Sequence, residues 1–202
     1  MSPAELAQRA IEQMGLSAPD IRLAPPATSP HGATVGFPVW MWSGRSEATT
    51  GPVTRTASAG AISVTATARL AHITWSMGDG SSVRCDGPGT PFSDSRAGEA
   101  SPTCGHVYRA KAPGGAFPVA ATGHWEIRWS GGGQSDFRTM DLTSTARLPV
   151  REVRTLNTDP RGTERCRSPP PRRSSRPLRA RATRRRPLRC ARRADDARNC
   201  WC

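Results

Sequence analysis

The chain has 202 residues, 36% of them hydrophobic, and carries 29 Lys and Arg against 16 Asp and Glu, a formal net charge of +13. That length holds one domain of ordinary size with flanking segments, and two full domains would be cramped. No run of about 18 apolar residues occurs, so a membrane-spanning helix is not expected. The charge is not spread evenly: residues 159–202 hold fifteen Arg and four acids, a net of +11, which leaves only +2 over residues 1–158. A nucleic-acid-binding surface is therefore not expected on the domain itself. Arginine outnumbers lysine 28 to 1, a bias that GC-rich coding produces without selection on a surface.

Residues 1–16 are expected to form a short N-terminal helix. Leu6, Ala10, Ile11 and Met14 fall at helical spacing, Ser2 and Glu5 occupy the positions of a capping box, and Gly15 stops the pattern. No charged-then-apolar leader precedes it, so an export signal, if one exists, is expected to be missing from this chain. Residues 17–32, with Pro19, Pro25, Pro26 and Pro30, read as an extended linker without a core of its own.

From residue 33 the period changes to two. Ile62, Val64, Ala66, Ala68 and Leu70 alternate with Ser63, Thr65, Thr67 and Arg69, the pattern of a strand with one buried face. Phe117 to Trp129 repeats it at odd positions, and Met140, Leu142, Ala146, Leu148 and Val150 repeat it at even ones. Ser130-Gly131-Gly132-Gly133-Gln134 permits positive φ, which predicts a long antiparallel hairpin. Shorter strands are predicted at 35–42, 53–57, 73–77 and 82–85. Seven strands separated by turn signals predict an all-β, antiparallel sandwich over 33–158. Residues 159–202, rich in Arg and Pro and poor in large apolar side chains, are expected to be a disordered basic tail.

Two motifs carry a resemblance. Trp75-Ser76-Met77-Gly78-Asp79-Gly80-Ser81 resembles the W-x-F-G-D-G-S signature of polycystic-kidney-disease (PKD) domains. Cys104-Gly105-His106-Val107-Tyr108, followed by Pro113-Gly114-Gly115-Ala116-Phe117-Pro118-Val119, resembles their H-x-Y and P-G-x-Y-x-V signatures. The resemblance implies an Ig-like sandwich in which Trp75, Gly78, Asp79, Gly80, His106, Tyr108, Gly114 and Phe117 hold structural positions. Gly78 and Gly80 would permit a tight turn, and the Asp79 carboxylate would accept N–H groups that the turn leaves open. More narrowly, Phe37-Pro38-Val39-Trp40-Met41-Trp42, Cys85-Asp86-Gly87-Pro88-Gly89-Thr90-Pro91 and Trp129-Ser130-Gly131-Gly132-Gly133-Gln134-Ser135 look like a family of exported actinobacterial proteins without an assigned activity. Its members usually begin with a signal peptide, and the resemblance implies an extracellular or cell-surface location.

Cys85 and Cys104 are the two cysteines of the domain, each at the edge of a predicted strand. A disulfide between them would close a Gly/Pro/Ser-rich loop and stabilise by about 3 kcal/mol; a metal pair or free thiols are the alternatives. No two further ligands at C-x₂-C-like spacing are at hand, and Asp79, Asp86 and Asp94 do not match a calcium loop. No nucleophile elbow, H-E-x-x-H helix or phosphate-binding G-x-x-x-x-G-K-[ST] loop occurs. Neither a catalytic residue nor a cofactor is therefore nominated.

Trp40, Trp42, Trp125 and Trp129 have two readings, sandwich core or an exposed aromatic face for a protein or glycan. Trp40 and Trp42 fall on one face of their strand, Val39 and Met41 on the other. The tail has three readings: a polycation for nucleic acid or an anionic cell-wall polymer, a solvated tail, or translation out of frame. In the last case its cysteines Cys166, Cys190, Cys200 and Cys202 carry no meaning. The expected function is a secreted or cell-surface, non-catalytic module for binding or spacing, with a protein or cell-wall glycan as partner. The alternative is nucleic-acid or anionic-polymer binding through the tail.

Overall fold

The computed structural model of the chain describes residues 1–153; the segment 159–202, expected as a disordered basic tail, lies outside the described residues. Helix α1 spans Pro3–Glu12 and starts as its sequence dictates. Ser2 Oγ accepts from the Glu5 N–H at 3.3 Å, and Glu5 Oε2 accepts from the Ser2 N–H at 2.6 Å, which satisfies two donors that a helix start leaves open. Its apolar stripe of Leu6, Ala7, Ala10 and Ile11 is buried. No described helix is long and apolar enough to cross a membrane.

Among the described residues nine strands follow: β1 (Asp20–Ala24), β2 (Ala33–Thr34), β3 (Pro38–Gly44), β4 (Val53–Ala59), β5 (Ile62–Ser76), β6 (Ser82–Cys85), β7 (Gly105–Val107), β8 (Ala116–Gly131) and β9 (Gln134–Arg151). One turn of helix, α2 (Glu47–Thr50), precedes β4. Three strands form a small sheet in the order β1-β3-β7. The others form a large curled sheet in the order β2-β9-β8-β5-β4, with β6 sharing an edge of β5 with β4. The domain is β-rich and mostly antiparallel. The expectation of a purely antiparallel architecture needs one amendment, because β2 pairs parallel to β9 through Ala33↔Val150 and Thr34↔Arg151.

Two further expectations are corrected. The stretch 17–32 is not a linker without a core: within it β1 pairs with β3 from Asp20↔Gly44 to Ala24↔Trp40. Its Leu23 is 5% exposed. Ile21 and Leu23 alternate with Asp20 and Arg22, a strand pattern too short to stand out between prolines. The predicted strands at 62–70 and 73–77 are one strand of 15 residues, β5, whose register on β8 shifts between Leu70 and His72. A bulge inserts one unpaired residue, so the inward positions change from even numbers (Val64, Ala66, Ala68) to odd ones (Ile73, Trp75).

The β8–β9 hairpin pairs from Gly131↔Gln134 to Ala116↔Pro149. Its two turn residues, Gly132 and Gly133, sit at φ +57° and +79°, the doubly left-handed turn whose twist matches antiparallel strands. The small sheet and α1 cover one face of these long strands. Towards one end, Leu23, Val39 and Met41 of the small sheet pack on Ile73, Trp75, Val119, Ala121, Leu148 and Val150. Towards the other, α1 packs on Val53, Val64, Ala66, Ala68, Trp125, Ile127 and Trp129. The helix expected as a separate N-terminal element is thus the lid of a second core.

Candidate functional site

Strand β3 has an inward side and an outward side. Val39 and Met41 point into the core, and Trp40 and Trp42, at alternate positions, point away from it. Cys85 and Cys104 are joined by a disulfide with Cα atoms 5.5 Å apart. The loop 86–103 that it closes folds back over the outer face of β3. Trp40 Nε1–H donates to the Glu99 carbonyl at 2.7 Å. The Phe92 ring meets the Trp40 ring edge-on at 5.5 Å, and the Arg96 guanidinium lies 6.0 Å from its centroid. Backbone bonds tie down both ends of the loop, Met41 N–H to Cys104 O at 3.0 Å and Ser43 N–H to Pro88 O at 2.7 Å. Gly89 lets the loop approach this closely: at φ +83°, a Cβ there would lie 2.6 Å from Met41 O.

Between this loop and Pro25-Pro26 runs a groove of about 600 Å³, lined by Pro38, Trp40, Trp42 and Phe92 and rimmed by Asp94 and Glu99. Trp40 is 1% exposed, roofed by the loop, so it is a wall of the groove and not an open platform. Trp42 is half-buried. The rim ion pair Arg96–Glu99, 3.5 Å and exposed, contributes little to stability.

Trp125 and Trp129, the other two tryptophans considered for a binding face, are 1% and 5% exposed. They lie beneath α1, since odd positions of β8 face inward. Of the four candidates, the structure brings Trp40 and Trp42 together at one groove and places the other pair in the core.

The motif residues converge from three segments. Gly78 (φ +77°) leaves no room for a side chain, as a Cβ would lie 2.5 Å from Pro118 O. Asp79 Oδ1 accepts from the Ser81 N–H at 3.0 Å and from the Ser81 hydroxyl at 2.5 Å, and its Oδ2 lies 2.8 Å from His106 Nε2. Burial opposes the charge on Asp79, but the Ser81 bonds and then His106 outweigh it and hold the carboxyl below its ordinary value. Tyr108 is fully buried, stacks on Phe117 with centroids 4.9 Å apart, and donates to Met77 O at 2.9 Å. Burial, with the Asp79 charge adding, pushes its hydroxyl well above the ordinary range. In the Pro113-Gly114-Gly115 segment the left-handed residue is Gly115 (φ +83°), and nothing lies within 4 Å of a Cβ on Gly114.

A second cluster, not found in the sequence, lies on the outer face of the large sheet. His124 Nδ1 is 2.8 Å from Asp141 Oδ1, and its Nε2 is 3.0 Å from Thr74 Oγ1. A neutral His124 that donates to Asp141 accepts from the Thr74 hydroxyl. His72 stacks on it at 4.2 Å. Burial first, then the His124 and Arg84 charges, depress the pKa of His72, with Asp86 and Asp141 pulling the other way. A depressed histidine contributes stability that is present above its unfolded value, about pH 6.5, and is lost as pH falls through the folded value. The melting temperature is therefore expected to fall on acidification below about pH 6.5, and His72→Gln to flatten that limb. Loss from Asp79 has the same sign but sets in lower, below about pH 4. An acid limb identical in His72→Gln and the wild type would contradict the assignment.

Among the described residues no group of three or more His, Cys, Asp or Glu could hold a metal ion. Comparison with known proteins finds no family model, no curated protein and no solved structure that matches the chain.

Proposed function

We propose that the chain is a secreted or cell-surface, non-catalytic β-sandwich of the PKD type. It holds a protein or glycan partner in the groove between Pro25-Pro26 and the disulfide-closed loop. The observation that carries this reading is the loop itself: a covalently closed segment laid over an outward-facing tryptophan, leaving an aromatic groove on the surface. Indole and phenyl walls with a few polar rim groups suit pyrrolidine rings of an extended peptide or the apolar face of a sugar. The PKD assignment draws support from the Asp79–His106 and Tyr108–Met77 bonds, which tie the two motifs to each other. The extracellular assignment draws support from the disulfide, a bond that persists in oxidising compartments.

The test is a binding titration of the full chain with a proline-rich peptide and with chitohexaose. Saturable binding of either, weakened about tenfold or more in Trp42→Ala, is the expected result, in line with the cost of removing a central aromatic from an interface. Binding of neither probe, or binding indifferent to Trp42→Ala, would overturn the reading.

A further inference from the structure

Hydrogen-bonding capacity is scarce in the groove between Pro25-Pro26 and the disulfide-closed loop. Its side chains are apolar apart from two indole N–H groups and two carboxylates. Pro25, Pro26 and Pro38 have no N–H to offer, and Trp40 Nε1–H already donates to the Glu99 carbonyl at 2.7 Å. Trp42 Nε1–H is the side-chain donor that the lining leaves for a ligand, since among the described residues it has no acceptor. The charged residues of the lining are Asp94 and Glu99, both acids. Two arginines stand near. Arg96 pairs with Glu99 at 3.5 Å, and Arg22, opposite Trp42 across β1 and β3, pairs with Asp20 at 2.8 Å. Each cation is thus matched by a carboxylate. Asp94, exposed at the rim and without an ion pair among the described residues, carries the surplus negative charge.

We propose, on the reading of this groove as the partner site, that its occupant is a proline-rich peptide in polyproline II form, with an arginine or lysine beside the proline run set against Asp94. An oligosaccharide carries several hydroxyls on every ring. Those turned towards proline, phenyl and indole surfaces would lose water without gaining a partner, which opposes binding. A polyproline II segment avoids that cost. Its prolines have no N–H, its rings pack on aromatic walls such as Trp42 and Phe92, and its carbonyls need few donors, one of which Trp42 supplies. Charge then selects the flanking residue. With only acids in the lining, a cation beside the prolines is attracted and an anion repelled.

The test is a titration of the ¹⁵N-labelled full chain with three probes: hexaproline flanked at both ends by arginine, hexaproline flanked at both ends by glutamate, and chitohexaose. Binding is read at the Trp42 indole N–H, which separates the groove from the basic residues 159–202. The arginine peptide should shift this signal saturably and bind more tightly than chitohexaose. It should bind about threefold or more tighter than the glutamate peptide, the scale of exposed ion pairs. In D94N the two peptides should converge, as they should with the wild type at high salt. Tighter binding of chitohexaose, affinity for the glutamate peptide equal to or above that for the arginine peptide, or a preference undiminished in D94N would each overturn the proposal while leaving the groove a partner site. A Trp42 signal that no probe moves would overturn both.

Discussion

Trp125→Ala is expected to lower the unfolding free energy by about 3–5 kcal/mol, a large fraction of the roughly 5–15 kcal/mol that a domain of this size commands. The indole is 1% exposed and lies in the core that α1 closes, with Leu6, Ala10 and Ile11 of the helix and Val53, Ala68 and Ile127 of the sheet. It also sits against the chain before β4, where a Cβ on Gly51 would be 3.0 Å from Trp125 Cζ3. Alanine would leave a void under the helix that the long strands of the sheet cannot collapse to fill. Chemical denaturation should place the midpoint well below that of the wild type, with α1 amides exchanging first. Trp125→Phe keeps a ring in the void and should cost clearly less. A midpoint change of less than about 1 kcal/mol for Trp125→Ala would mean that α1 does not depend on this core.

Removal of the disulfide ranks next. Cys85→Ser combined with Cys104→Ser frees a loop whose closure, at a sequence separation of 19, is worth about 3 kcal/mol in the chain-entropy account. The structural consequence is local. Both cysteines are 2% exposed and anchor the ends of 86–103. Without the bond, the contacts of Phe92, Arg96 and Glu99 with Trp40 no longer outweigh the entropy of the open loop. Limited proteolysis should cut within 86–103 in the double variant and spare the oxidised wild type, and the Trp40 indole should become accessible to quenchers. In the protein purified without reductant, Cys85 and Cys104 should both resist alkylation. An unchanged melting temperature together with an intact loop would contradict this role.

Much of the large sheet was legible because its strands are half-buried, so that burial imposes a period of two on Ile62–Leu70, Phe117–Trp129 and Met140–Val150. The glycine turn fixes the β8–β9 register, and from that register the His124–Asp141 pair could have been read. His72 could not. The bulge at Ala71 moves β5 by one residue against β8, and alternation in one strand does not reveal a slip relative to its neighbour. β1 escaped because five residues are too few for a periodic signal, and their burial depends on the partner strand β3. The tryptophans show the limit most clearly. Alternation alone puts Trp40 and Trp42 on the face opposite Val39 and Met41, yet that Trp40 is buried follows from a loop whose Glu99 lies 59 residues further along the chain. No local pattern at β3 records it.

On the proposed function, the outward face of β3, under its disulfide-held loop, holds the partner. Indole N–H resonances test it most directly, because the core tryptophans act as internal controls. On titration of the ¹⁵N-labelled chain with the proline-rich peptide or chitohexaose, the Trp40 and Trp42 signals should move together and saturably, while Trp75, Trp125 and Trp129 stay in place. Signals of Trp40 and Trp42 that remain fixed with both probes, or that move only in step with the core tryptophans, would mean that β3 holds no partner there.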